Sequence, residues 1–174
     1  DTATGRELIR YQYNRDVSAK PAARTALTAE PAAREGADDK TPEECCVLAE
    51  YKMCWLRYEE ARSLYEQALE SDSDLSTARL GLGLLDILAG CYTSACEQLQ
   101  RAVLRYPQLA EAWYSLGLAR LEQDEWEAGI DALWEANRRE GYNGAASRLL
   151  ALVERGSKPT ELVARPMLLR NSCD

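Results

Sequence analysis

The chain contains no histidine and no phenylalanine, and only two methionines in 174 residues. The lack of histidine excludes several chemistries together. Ser–His–Asp and Cys–His catalysis both need an imidazole base, a mixed Cys/His zinc site needs it as a ligand, and haem of the globin kind needs it on the proximal side. The six cysteines include no C-x-x-C spacing, which argues against a thioredoxin motif or a zinc ribbon. No Gly-rich phosphate loop and no carboxylate pair in a predicted pocket point to catalysis, so no enzyme activity, cofactor or metal is expected. No apolar run reaches the roughly 18 residues of a membrane-spanning helix, and no signal-peptide core is present.

Basic charge is also short. The 21 Lys and Arg face 29 Asp and Glu, for a net charge of −8. A chain of this balance without a basic stripe is a poor nucleic-acid binder, because phosphate neutralisation supplies most of that affinity. The acidity is uneven: residues 38–75 hold eleven acids against four bases. Residues 110–143 are again acidic and the stretch between them is nearly neutral. Solvated helix faces explain this more simply than a site for a basic partner.

What is present suffices for about one domain of roughly 100–200 residues, with 46% hydrophobic residues to build a core. Residues 14–42 are rich in Ala, Pro, Arg and Thr, and Pro21, Pro31, Gly36 and Pro42 break any long helix. Such a stretch is expected to be extended unless it lies on something. The sequence begins at Asp1 rather than Met. With the Ala- and Arg-rich arm, that start suits a processed organellar protein, mitochondrial first and cytoplasmic second.

The cysteines are Cys45, Cys46, Cys54, Cys91, Cys96 and Cys173. In a helix Cys45 and Cys54 lie about 13 Å apart at 1.5 Å per residue, beyond the roughly 7 Å that a disulfide spans. Cys91 and Cys96, about 7.5 Å apart on the same rise, are also unfavourable. Reduced thiols that serve as small buried hydrophobes are expected.

From Pro42 on, the chain repeats itself every 34 residues, in three copies without a gap: 42–75, 76–109 and 110–143. The seventh position is Leu48, Leu82 and Leu116. The eighth is small, Ala49, Gly83 and Gly117, so that two helices can approach closely. A ring opens the second helix at the seventeenth, Tyr58, Tyr92 and Trp126. Small residues return at the twentieth, Ala61, Ala95 and Gly129. The twenty-fourth is Tyr65, Leu99 and Leu133, and the twenty-seventh is Ala68, Ala102 and Ala136. Pro107 at the thirty-second position ends the second helix of the middle copy.

The pattern resembles the tetratricopeptide repeat, W-x₂-L-G-x₂-Y…A-x₃-F…P at the same period. The resemblance covers residues 42–143. Only the third copy carries the Trp, as Trp113; Cys45 and Arg79 stand there in the others. It implies an all-α solenoid of helix–turn–helix repeats over 42–155, with an N-terminal arm (1–41) and a C-terminal tail (156–174). Residues 144–155 continue the phase with Leu150 and Ala151, as a cap helix that keeps the last repeat from exposing its apolar face.

The eleventh position, normally Tyr, is charged throughout: Lys52, Asp86, Arg120 and Glu154. The signs alternate, which predicts an inter-repeat charge ladder between equivalent positions of stacked neighbours.

In tetratricopeptide stacks the second, fifth, ninth and twelfth positions line a concave peptide-binding groove. The resemblance therefore places Leu80, Leu84, Ile87, Tyr114, Leu118 and Leu121 in an apolar strip, and Glu43, Glu50 and Glu111 on an acidic rim. Chaperone-binding members grip a C-terminal carboxylate with Lys, Asn and Arg. The matching places here are Cys46, Glu50, Gly81, Glu111 and Ser115, so binding of the Hsp70/Hsp90 C-terminal tail is not expected. An apolar groove suits an amphipathic helix or an extended apolar peptide, from another protein subunit or from this chain's own RELIRYQYNRDV or TELVARPMLLRN. The expected function is a protein-interaction scaffold, an accessory subunit of a larger complex. The alternative is a soluble chaperone or assembly factor that binds such a segment transiently.

Overall fold

The computed structural model describes residues 40–139 and 143–154. The N-terminal arm and the C-terminal tail fall outside this range, Lys40 and Thr41 excepted, and so does the Glu154 side chain. The described residues form seven helices and no strand: α1 (Pro42–Cys54), α2 (Tyr58–Ser71), α3 (Ser76–Ala89), α4 (Tyr92–Arg105), α5 (Ala110–Glu122), α6 (Trp126–Asn137) and α7 (Asn143–Glu154). The architecture is an all-α solenoid.

Local chemistry sets the start of the stack. The Thr41 hydroxyl accepts from the Glu44 N–H at 3.3 Å, and the Glu44 carboxylate accepts from the Thr41 N–H at 3.0 Å. This is a capping box, with Pro42 where its missing N–H costs nothing. Within each repeat the two helices meet at a turn built the same way three times. The turn residue has positive φ: Leu56 at 62°, Gly90 at 83° and Asp124 at 63°. The N–H of the following residue returns five residues to the helix, Arg57 to Lys52 O, Cys91 to Asp86 O and Glu125 to Arg120 O, at 2.8–2.9 Å. These are Schellman turns, which satisfy carbonyls that a helix end leaves open.

Each pair α1/α2, α3/α4 and α5/α6 packs as a hairpin, and each second helix packs on the first helix of the next repeat. The first helices α1, α3 and α5 also touch in series, so they line one face of the stack. Small residues make the hairpins tight. A Cβ on Gly117 would lie 2.8 Å from Leu133 Cγ and 3.1 Å from the Gly129 carbonyl oxygen. The seam Ala residues Ala61, Ala68, Ala95, Ala102 and Ala136 are fully buried, as are Leu99 and Leu133. α7 buries Leu149 and Leu150 against Leu121 and Leu133 while Ala151 stays exposed. That one-sided burial is what the end of a stack requires.

Candidate interaction surface

The repeats join through polar bonds as well as apolar packing. Trp113 at the fourth position donates its indole N–H to the Pro107 carbonyl at 2.8 Å. Arg139 also donates to that carbonyl, and its guanidinium lies 5.1 Å from the Trp113 ring centre. Arg79 stands at the same place one repeat earlier, and it donates to the carbonyl of Ser73. Ser73 and Pro107 are both thirty-second positions. Arg79 therefore does the work of the missing Trp, donating across the seam to the preceding repeat. It also donates to Gln98 at 2.9 Å. Burial, then the charge of Arg101, lowers the pKa of its guanidinium, which nevertheless stays protonated at any pH of interest.

The charged eleventh position meets second helices. Lys52 pairs with Glu60 at 3.4 Å on its own hairpin. Asp86, almost fully buried, pairs with Arg62 of the preceding second helix at 2.6 Å and accepts from the Ser94 hydroxyl at 2.6 Å. Arg120 donates to the Ala128 carbonyl at 3.1 Å. Gln123 completes the second seam, donating to the Tyr92 carbonyl at 3.2 Å and to Cys96 Sγ at 3.0 Å.

Of the predicted apolar strip, Leu80, Ile87 and Leu121 are core residues, less than a tenth exposed. Leu80 and Ile87 pack with Leu99 and Leu116, and Leu121 with Leu133. These three belong to the core packing rather than to an open strip. The neighbouring helices come close enough to use them, which the sequence could not reveal. Leu84, Tyr114 and Leu118 remain half-buried on the first-helix face. Glu43 and Glu50 are exposed and Glu111 is half-buried.

Cys45, Cys46, Cys54 and Cys96 are free thiols, and all but Cys54 are buried. Burial is the first cause that raises the pKa of Cys45, Cys46 and Cys96, so these are protonated packing groups rather than nucleophiles. Cys91 is disulfide-bonded, a departure from the expectation of reduced thiols throughout. No group of three or more potential metal ligands occurs among the described residues, and none of their helices is long and apolar enough to cross a membrane.

No protein-family model matches the sequence, and no curated protein sequence matches it. A solved structure does. MamA 41-end from Desulfovibrio magneticus RS-1 aligns over 100% of this chain and 99% of its own, with a TM-score of 0.61 and 22% identity. The likeness is one of fold. It supports a tetratricopeptide-like helical repeat, in line with the 34-residue period and the three equivalent turns.

Sequence reading missed one feature of this solenoid. Val47, Tyr51 and Trp55 occupy the sixth, tenth and fourteenth positions of the first repeat. Val47 is 53% exposed and Trp55 57%, with the rings of Tyr51 and Trp55 6.2 Å apart. Their i, i+4, i+8 spacing was the available signal. It was hidden because α1 is apolar on its opposite side as well.

Proposed function

We propose that the chain is a non-catalytic protein-interaction scaffold, held as an accessory subunit of a larger multiprotein complex. The observation that carries this reading is the first-helix face. Leu84, Tyr114 and Leu118 leave half-buried apolar side chains there, while their neighbours Leu80, Ile87 and Leu121 are locked into the core. A narrow apolar contact on a rigid frame, bordered by Glu50 and Glu111, suits an amphipathic helix with basic flanks. It offers no donor cluster for a C-terminal carboxylate.

The test is purification of the tagged chain from its own cells at high ionic strength. A stoichiometric assembly should survive, and Leu84→Arg with Leu118→Arg should release the chain while its helical melt stays cooperative. Recovery of a lone monomer that binds peptides only at micromolar affinity would favour the transient chaperone instead.

A further inference from the structure

The exposed stripe on α1 is an inter-repeat face without its repeat. In the second repeat the same positions are Gly81 and Leu85, both buried, and a Cβ on Gly81 would lie 2.2 Å from the Tyr65 ring of the preceding second helix. In the third they are Ser115 and Ala119, also buried, and Ala119 packs with Leu99, Ala102 and Val103 of the preceding second helix. In the first repeat they are Val47 and Tyr51, with Trp55 at the C-terminal edge. α1 thus has the composition of an internal helix at the end of the described stack. Three large apolar side chains in a row on one face form a patch that water covers at a cost.

The sequence shows that an ordinary repeat does not cover this face. A second helix in phase with the period would fall on residues 24–37. There the ring position is Arg24, the small position Leu27 and the next apolar position Pro31. A proline at that interior site breaks a helix. Apolar residues occur further upstream, where Ile9, Tyr13 and Val17 repeat the i, i+4, i+8 spacing of Val47, Tyr51 and Trp55. As a helix, this stretch would present one matching stripe.

We infer that residues 6–17 of the same chain dock on the Val47–Tyr51–Trp55 face of α1 and close the N-terminal end of the solenoid. Two further observations support this occupant. Residues 18–39 supply roughly 70 Å of extended reach, against about 20 Å for the length of α1, so the chain returns to this face without strain. Charge is complementary: Arg6, Arg10 and Arg15 outnumber Glu7 and Asp16, whereas Glu43 and Glu50, both exposed, flank the stripe on α1. Glu44 stands at the third position, where Ala78 and Ala112 admit a close helix in the later repeats. The docked segment therefore meets only the later turns of α1. That fits a short amphipathic piece better than a full second helix.

The test uses the full chain. With benzoylphenylalanine in place of Trp55, illumination should yield crosslinks within one chain, mapped by mass spectrometry to residues 6–17. Crosslinked dimers would show that a second copy holds the face. Capture of a different protein, or of no partner, in place of residues 6–17 would equally overturn the inference. A second measurement does not depend on the probe. Val47→Asp with Trp55→Asp alters only exposed side chains, so the helical melt should stay cooperative. Trypsin should cut at Arg6, Arg10 and Arg15 about tenfold faster than in the unaltered chain, since cleavage follows the open population. Ile9→Asp with Tyr13→Asp should give the same increase. Unchanged cleavage in both variants would refute the docking.

Discussion

At the residue scale the three turns compare the same backbone with three different side chains. Gly90 adopts positive φ freely and Asp124 tolerates it, but Leu56 at 62° carries a penalty of about 1–2 kcal/mol. Leu56 is exposed and loses little packing on truncation. Leu56→Gly should stabilise the protein by about 0.5–1 kcal/mol after the entropy of glycine in the unfolded chain is set against the relieved strain. A thermal melt that rises by a few degrees would show it; a fall would mean that the Leu56 side chain packs in solution. Gly81 makes the opposite case. Its missing Cβ would lie 2.2 Å from the ring of buried Tyr65, so Gly81→Ala should cost about 1–3 kcal/mol, the range for overpacking a filled core. Tyr65→Leu should recover part of that loss in the double variant. Little of this was legible beforehand. The small eighth and twentieth positions stood out by recurring in phase. Gly81 did not, because its equivalents are Val47 and Ser115 and only the stacked structure shows what lies opposite.

At the scale of elements, the seams are specified by polar groups that the repeat pattern showed only in part. The charges at the eleventh position were visible in the sequence. Their partners were not: each reaches the nineteenth position of its own hairpin, Glu60, Ser94 or the Ala128 carbonyl, where the residue type changes from copy to copy, and Arg62, which Asp86 also meets, has Cys96 and Ile130 as its equivalents. Asp86 is the strongest case, buried and held by both Arg62 and Ser94. Removing one member of a buried pair strands the other, so Asp86→Ala should cost about 3–5 kcal/mol. Arg62 is a third exposed and can turn to water, which places the loss at the lower end. Arg62→Met should cost more than typical surface changes, and the two substitutions should couple in a double-mutant cycle. Additive losses would show that Asp86 is held by Ser94 and its helix alone. The fourth position is the converse example. The loss of Trp at Arg79 looked like a defect in the pattern. The structure shows a second donor for the same carbonyl position, a substitution of chemistry that a residue-by-residue match cannot score.

At the scale of the whole molecule, the period was enough to read the stack, its turns and its order, because each repeat contacts only its neighbours. The open width of the first-helix face was not legible. It depends on how closely neighbouring helices pack, and that packing buries Leu80, Ile87 and Leu121. The same packing buries thiols at both seams, and this gives the molecule a pH dependence of known sign. Cys45, Cys46 and Cys96 all have raised pKa values in the folded protein, with burial as the leading cause. The unfolded chain therefore loses these protons first as pH rises. Their contribution to stability is complete below the unfolded thiol value, about 8.5, and is lost as pH climbs through the folded values. A melt series should be level in this contribution up to about that pH and decline above it. The decisive comparison is with Cys46→Ala/Cys96→Ala. That variant should melt lower at neutral pH, because two packed sulfurs are gone, yet show a shallower alkaline decline. The two curves should converge as pH rises. Parallel curves would mean that these thiols titrate alike in the folded and unfolded chain, and that the seams admit water to Cys46 and Cys96.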